Sequence, residues 1–147
     1  MKLVVAADHG GLEFKNAIKQ HLQSLGHEVV DVGTYTKESC HYPTVAIEAG
    51  EKVASGEARY GFIVCTTAEG IMIAANKVRG VRAAIGYSDN VSMKSRSHNN
   101  ANMLAFGQGE MQLVDVLRRV DLFLATPFEG GRHAERVKLI TDYEDKK

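Results

Sequence analysis

Five short apolar runs punctuate this chain, and each is followed by a stretch of helical period. The runs are KLVVAA (2–7), HEVVDVG (27–33), YGFIV (60–64), GVRAAIG (80–86) and ANMLAFG (101–107). Between them, Leu12, Ala17, Ile18, Leu22 and Leu25 recur at helical spacing before Gly26, a helix-stopping residue in the C′ position. Pro43 is placed to open a helix through Val45, Ala46, Ala49 and Val53, ended by Gly56. Further helical patterns cover 71–77, 89–97 and 110–125, with a charged terminal helix over 134–146. Strands alternating with helices at this spacing predict a parallel sheet covered on both faces. Right-handed crossovers leave few topologies, and an α/β three-layer sandwich of about five parallel strands is the natural one. The 147 residues suffice for one domain, 1–147, with a substantial core.

Composition narrows the function classes. Eighteen basic and eighteen acidic side chains cancel, which argues against a general nucleic-acid binder. Cys40 and Cys65 form neither a disulfide framework nor a metal-ligand spacing. The opening MKLVVAADHGG carries too short an apolar run for a signal peptide, and no window is long and apolar enough for a membrane span. A cytoplasmic protein with no membrane partner is expected.

Residues 59–77, RYGFIVCTTAEGIMIAANK, carry the densest chemical signal. A buried strand leads through small residues into a helix, which aims free backbone N–H groups at one spot and favours an anion there. Cys65 stands at the carboxyl end of that strand, where ligands collect in open α/β sheets. An ordinary βα turn with a small buried cysteine is the plainer alternative. The other strand ends are expected along the same edge, with polar side chains gathered there. They are Asp8 and His9 after the first strand, and Thr66 and Thr67 after Cys65. Arg96, His98, Asn99 and Asn100 lead into the fifth strand, and Arg132, His133 and Arg136 follow the terminal double glycine. Asp8 also suits a helix N-cap, while Gly10-Gly11 suits close approach of a ligand to the backbone. SRSHNNAN (95–102) also reads as a solvated loop. A basic helix start at 132–136 opposes the helix dipole, which favours a bound anion there. His21 and His27 read as surface residues, and His41 stays open.

Taken together, DHGG (8–11), HYP (41–43), IAANK (73–77), GVRAA (80–84), SRSHNNANMLAFG (95–107) and FEGGRH (128–133) resemble the family of ribose-5-phosphate isomerase B and the galactose-6-phosphate isomerase subunits. The resemblance spans nearly the whole chain. It implies a Rossmann-like sandwich that interconverts an aldose phosphate and a ketose phosphate with no metal and no organic cofactor. By the same resemblance Cys65 is the base moving a proton between C1 and C2, and Thr67 assists at the sugar oxygens. Asp8 and His98 open the furanose ring, Asn99 contacts the enediolate, and Tyr42 lies in the substrate pocket. His9, Arg132 and Arg136 hold the phosphate, with His133 beside them. It further implies a homodimer, often a tetramer, whose sites combine residues of both subunits, with the helix near 134–146 in subunit contacts. The chemistry of these residue types agrees. A thiolate is a competent base, and helix N-termini favour the anionic form of a thiol. The backbone of Thr66, Ala68, Glu69 and Gly70 can supply donors to an enediolate, and a phosphate dianion calls for arginine forks.

Two stretches depart from the family. Its loop after the cysteine is Gly-Thr-Gly-x-Gly, but here it reads Thr66-Thr67-Ala68-Glu69-Gly70. Wherever the backbone needs positive φ, a non-glycine residue costs about 1–2 kcal/mol. Relatives also carry a phosphate-binding arginine two residues after the fifth-strand glycine, and Gly109 stands there instead. Losing that contact costs about 1.5–3 kcal/mol, so either another base such as Lys94 compensates or the substrate differs. The expected activity is conversion of ribose 5-phosphate to ribulose 5-phosphate through a cis-enediolate. The alternatives are isomerisation of another sugar (a tetrose or hexose phosphate such as galactose 6-phosphate or allose 6-phosphate, or a free aldose) and a non-catalytic sugar-phosphate-binding paralogue.

Overall fold

Alternate side chains of the central strands leave for opposite faces, and that period of two builds two separate cores. Leu3, Val5, Ala7, Phe62, Val64, Leu104 and Phe106 pack on one face; Val4, Ala6, Ile63, Cys65, Met103 and Ala105 pack on the other. The computed structural model, which describes residues 1–146, shows β1 (Lys2–Ala7), β2 (Glu28–Asp31), β3 (Tyr60–Cys65), β4 (Ala83–Ile85) and β5 (Met103–Gly107). All pair in parallel, in the order β2-β1-β3-β5-β4. The helices are α1 (Leu12–Ser24), α2 (Tyr42–Ala54), α3 (Glu69–Ala75), α4 (Asp89–Ser97), α5 (Leu113–Ala125) and α6 (Arg132–Asp145). Residues of α1 and α5 belong to the first core, residues of α2 and α3 to the second, and α4 lies along α5. The expected α/β/α sandwich is the observed fold. No helix among the described residues is long and apolar enough to cross a membrane.

Strands β1 and β3 are covered on both faces and read as continuous apolar runs, as central parallel strands should. The outer strands are shorter than the sequence predicts. In β4 the Arg82 N–H is taken by the Asn102 side chain at 2.8 Å, and Val81 N–H closes a turn onto Val78, so pairing starts only at Ala83. Gly26 and Gly56 end α1 and α2 at positive φ, as read from the sequence. Helix α5 starts at Leu113 and not near 110, because Glu110 and Met111 N–H both turn back onto the Gly107 carbonyl.

One element of the first core was not legible from the apolar spacing. Lys15 on α1 is fully buried; its Nζ donates to Asp31 at 2.8 Å and to the Thr34 carbonyl. Burial of a lysine is tolerated because that charge is paired and hydrogen-bonded. The pair ties α1 to the end of β2 and to the loop that follows it.

Candidate active site

The chain leaves β1 for β2 on one side and returns to β3 on the other, so a crevice opens between the carboxyl ends of β1 and β3. Cys65 ends β3 there, 6% exposed, in the core that also holds Ala68 and Ile71. Asp8, 8% exposed, follows β1, and its carboxylate accepts the Gly10 N–H at 3.0 Å. Of the two readings of Asp8-His9-Gly10-Gly11, the structure shows the capping one, and the glycines pack against the protein's own backbone and side chains. Asp8 caps the 3₁₀ turn His9–Gly11, and a Cβ on Gly11 would lie 2.4 Å from the Val64 carbonyl oxygen, so that turn packs directly on β3. His9 is exposed, and its Nδ1 accepts the Cys40 N–H at 3.2 Å. Nε2 of a neutral His9 therefore carries the proton and faces outward as a donor. Tyr42 opens α2 with its ring against Gly70, where a Cβ would come within 2.8 Å of it.

The loop after Cys65 adopts the conformation its departures put in question. Ala68 sits at φ 76, while Thr66 is not among the positive-φ residues, so one of the two replaced glycines occupied a left-handed position. Thr67 Oγ1 accepts the Glu69 N–H at 3.3 Å, and Glu69 is exposed. The loop after β5 runs against this one: Gln108 N–H donates to the Cys65 carbonyl and Gly109 N–H to that of Thr66, each at 2.9 Å. A Cβ on Gly109 would stand 2.9 Å from Thr66 Cγ2, and one on Gly10 2.2 Å from Thr66 Oγ1. The Thr66 side chain, together with the Thr66 carbonyl oxygen 3.1 Å from the same Cβ position, fills the space that a longer residue at 109 needs.

His98 and Asn99 are not at this edge, which corrects the expectation of one polar edge. They precede β5, and a residue that precedes a parallel strand lies at its amino end. The six residues of β3, at about 3.3 Å each, put the two edges roughly 17 Å apart. His98 stacks on His133 there, ring centroids 4.1 Å apart and planes at 13°. Arg132 and Arg136 are exposed on the first turns of α6 beside it. Burial, then the neighbouring His98 and Arg132, hold the His133 imidazole below its ordinary range. Glu129 lies 3.6 Å from His98 Nε2 and 3.8 Å from His133 Nε2; it sat inside the FEGGRH stretch without an assigned role. Lys94 Nζ also reaches His98 Nε2, at 3.4 Å. Ligand atoms of His98, Glu129 and His133 lie within 4.8 Å of one another. One ion cannot lie in the planes of two stacked, near-parallel rings, as convergence of their in-plane lone pairs on a tetrahedral metal would require, so the trio is better described as a stacked imidazole pair with a carboxylate beside it.

The residues thus fall into two groups: Asp8, His9, Tyr42, Cys65, Thr66, Thr67, Ala68, Glu69 and Gly70 at the carboxyl edge, and His98, Asn99, Arg132, His133 and Arg136 at the amino edge. The model of the ribose/galactose isomerase family matches residues 3–140. Ribose-5-phosphate isomerase B of Escherichia coli is 40% identical over 146 residues, covering 99% of this chain and 98% of that protein. A ribose-5-phosphate isomerase B structure from Clostridium thermocellum superimposes with a TM-score of 0.98 at 44% identity, covering 99% of both chains. The Mycoplasma genitalium enzyme, solved with bound ribulose-5-phosphate, gives a TM-score of 0.95 at 36% identity over 99% of this chain and 97% of that one. With its motifs in the same order along a matching fold, the chain belongs to the ribose/galactose isomerase family.

Proposed function

We propose that this protein interconverts ribose 5-phosphate and ribulose 5-phosphate by proton transfer through a cis-enediolate. The observation that carries the reading is the ribulose-5-phosphate held by the Mycoplasma genitalium relative, whose fold this chain follows over 99% of its length. In the opened sugar the Cys65 thiolate takes the C2 proton, the electron pair forms the C1–C2 double bond of the enediolate, and the proton returns to C1. The Thr67 hydroxyl assists the proton shift between O2 and O1, and the loop N–H groups stabilise the oxyanion. Asp8 and His98 open the ring, Asn99 contacts the enediolate, and Tyr42 borders the sugar. His9 Nε2–H, Arg132 and Arg136 hold the phosphate dianion, charge-assisted contacts of the stronger kind, with His133 packed against His98.

Such a site needs both sheet edges, and one chain keeps them apart. We infer that it forms between two copies, the carboxyl edge of one meeting the amino edge of the other. The exposed Leu139 and Ile140 of α6, 70% and 55% accessible, support that helix as part of the contact. Lys94 would then arrive with His98 and supply positive charge near the phosphate in place of the family arginine.

Turnover of ribose 5-phosphate by the purified protein, with Cys65→Ala as control, tests the reading. Removing the base should cost about 10²–10⁴-fold, and an unchanged rate would overturn its assignment. The Thr66 side chain beside Gly109 favours a second reading, in which the same chemistry serves another sugar. Faster turnover of a tetrose or hexose phosphate than of ribose 5-phosphate would establish it.

A further inference from the structure

A cavity of about 470 Å³ opens at the amino edge of the sheet, lined by Lys2, Arg59, Arg82, Arg96, Asn100 and Asn102. Its volume is that of an ordinary small-ligand pocket, but its walls are cationic. Glu57 is the one carboxylate among the lining residues, and it is already engaged by Lys52 at 3.0 Å and Lys2 at 3.9 Å. No ion pair among the described residues involves Arg59, Arg82 or Arg96.

Arg96 is the telling member. It is 4% exposed, with its guanidinium 4.8 Å over the Tyr60 ring. One terminal nitrogen donates to Asn100 Oδ1 at 2.9 Å and to the Ala101 carbonyl at 2.6 Å, but its buried Nε has no partner. Buried charges are ordinarily paired, and buried N–H groups ordinarily bonded. Burial pushes the Arg82 and Arg96 guanidiniums down; Glu144 opposes this at Arg82 and Tyr60 at Arg96, where the neighbouring Arg59 and Arg82 add to the lowering. Guanidinium stays charged even so. Three arginines around one cavity, with no free carboxylate among its lining residues and Glu144 reaching Arg82 only from outside it, are an arrangement completed by an anion.

We propose that this cavity is a second binding site, for a small phosphate-bearing anion such as a diphosphate or phosphate ester. The anion would be forked by Arg59 and Arg82, reached by Arg96, and bounded by the side-chain amides of Asn100 and Asn102. It lies a strand length from Cys65, since Tyr60 at the amino end of β3 lines it. It also adjoins the other half-site. Arg96 holds the Asn100 side chain and Arg82 Nε holds the Asn100 carbonyl at 3.0 Å, and Asn100, at φ 50, immediately follows His98-Asn99. An occupant would bind the two arginines that set this turn.

The test is a nitrogen-15 NMR titration of the full chain with inorganic pyrophosphate. Saturable shifts are expected at the amides of Arg59, Asn100 and Asn102. Arg59 is exposed, its guanidinium lies 4.9 Å over the Tyr60 ring, and the one hydrogen bond it donates among the described residues is from its backbone N–H to the Lys2 carbonyl at 2.8 Å, so Arg59→Gln should keep the native spectrum and weaken that binding about tenfold, the worth of one charge-assisted contact. Arg59→Glu should abolish it, and Arg132→Gln should leave it unchanged. Shifts that never saturate, that persist undiminished in Arg59→Glu, or that disappear in Arg132→Gln would each overturn the proposal, the last by assigning the effect to the isomerase's own phosphate grip.

Discussion

Ala68 shows how a residue can replace a left-handed glycine at little net cost. At φ 76 an alanine carries about 1–2 kcal/mol of strain. Its methyl is fully buried, worth roughly 0.8 kcal/mol, and alanine spares the chain about 0.5–1 kcal/mol of glycine's unfolded entropy. These nearly cancel, so Ala68→Gly should shift stability by less than about 1 kcal/mol in urea unfolding, whereas Ala68→Val, a branched side chain in the same backbone well, should cost about 2 kcal/mol or more. A large gain from Ala68→Gly would show that the strain dominates. His133 gives a prediction in pH. Burial, His98, Arg132 and Arg136 hold its pKa below the ordinary 6.5, with Glu129 opposing. Below pH 6.5 the unfolded imidazole binds a proton that the folded one refuses, so the stability present above that value is lost as pH falls towards the folded pKa. The urea midpoint of the native protein should drop on acidification through that window more than that of His133→Asn, and parallel curves would contradict this. The sequence pointed to Cys65, Asp8 and His98 as chemical residues because each is polar or reactive beside an apolar run, and to Arg132 because a basic helix start after a double glycine favours an anion. It was silent on the contact of Glu129 with His98 and on the Cys40 N–H that orients His9, because both join residues about thirty positions apart in sequence.

At the scale of elements, the loops after β3 and β5 act as one unit, joined by paired backbone hydrogen bonds. The two departures from the family pattern meet at that seam, where Thr66 occupies the room that a side chain at 109 requires. Gly109→Arg alone should therefore fail to lower KM for a sugar phosphate. Combined with Thr66→Gly it should lower KM about tenfold, as one restored charge-assisted contact would. Steady-state kinetics of the two single variants and the double variant decide it, and equal KM values for Gly109→Arg with and without Thr66 would remove the coupling. Element types and order were legible from apolar periodicity, since central strands and helices bury what the pattern marks. The boundaries of β4 and α5 were not, because side-chain and turn hydrogen bonds from Asn102 and Gly107 set them. Lys15 was missed for a similar reason, as its partners Asp31 and Thr34 lie beyond its own helix.

For the whole molecule, the decisive feature is the separation of the two groups of site residues by the length of the sheet. If the site forms between copies, a Cys65→Ala chain and a His98→Ala chain, each inactive alone, should restore activity when refolded together. Equal mixing should yield about a quarter of the native rate, since half of the dimers are mixed and each carries one intact site of two. No recovery in mixed dimers verified by mass would place both residues in one subunit's site. Introducing a charge on the exposed face of α6, as in Ile140→Glu, should lower the sedimentation mass and the turnover together. The sequence by itself determined the layered α/β architecture and the family, because alternating apolar period and contiguous motifs are local properties of the chain. Only the tertiary structure decided which residues share an edge, that Thr66 and Gly109 compete for one space, and that Arg59, Arg82 and Arg96 surround one cavity. Those relations depend on strand order and parallel direction, which bring residues dozens of positions apart into contact and carry neighbours in sequence to opposite ends of the sheet.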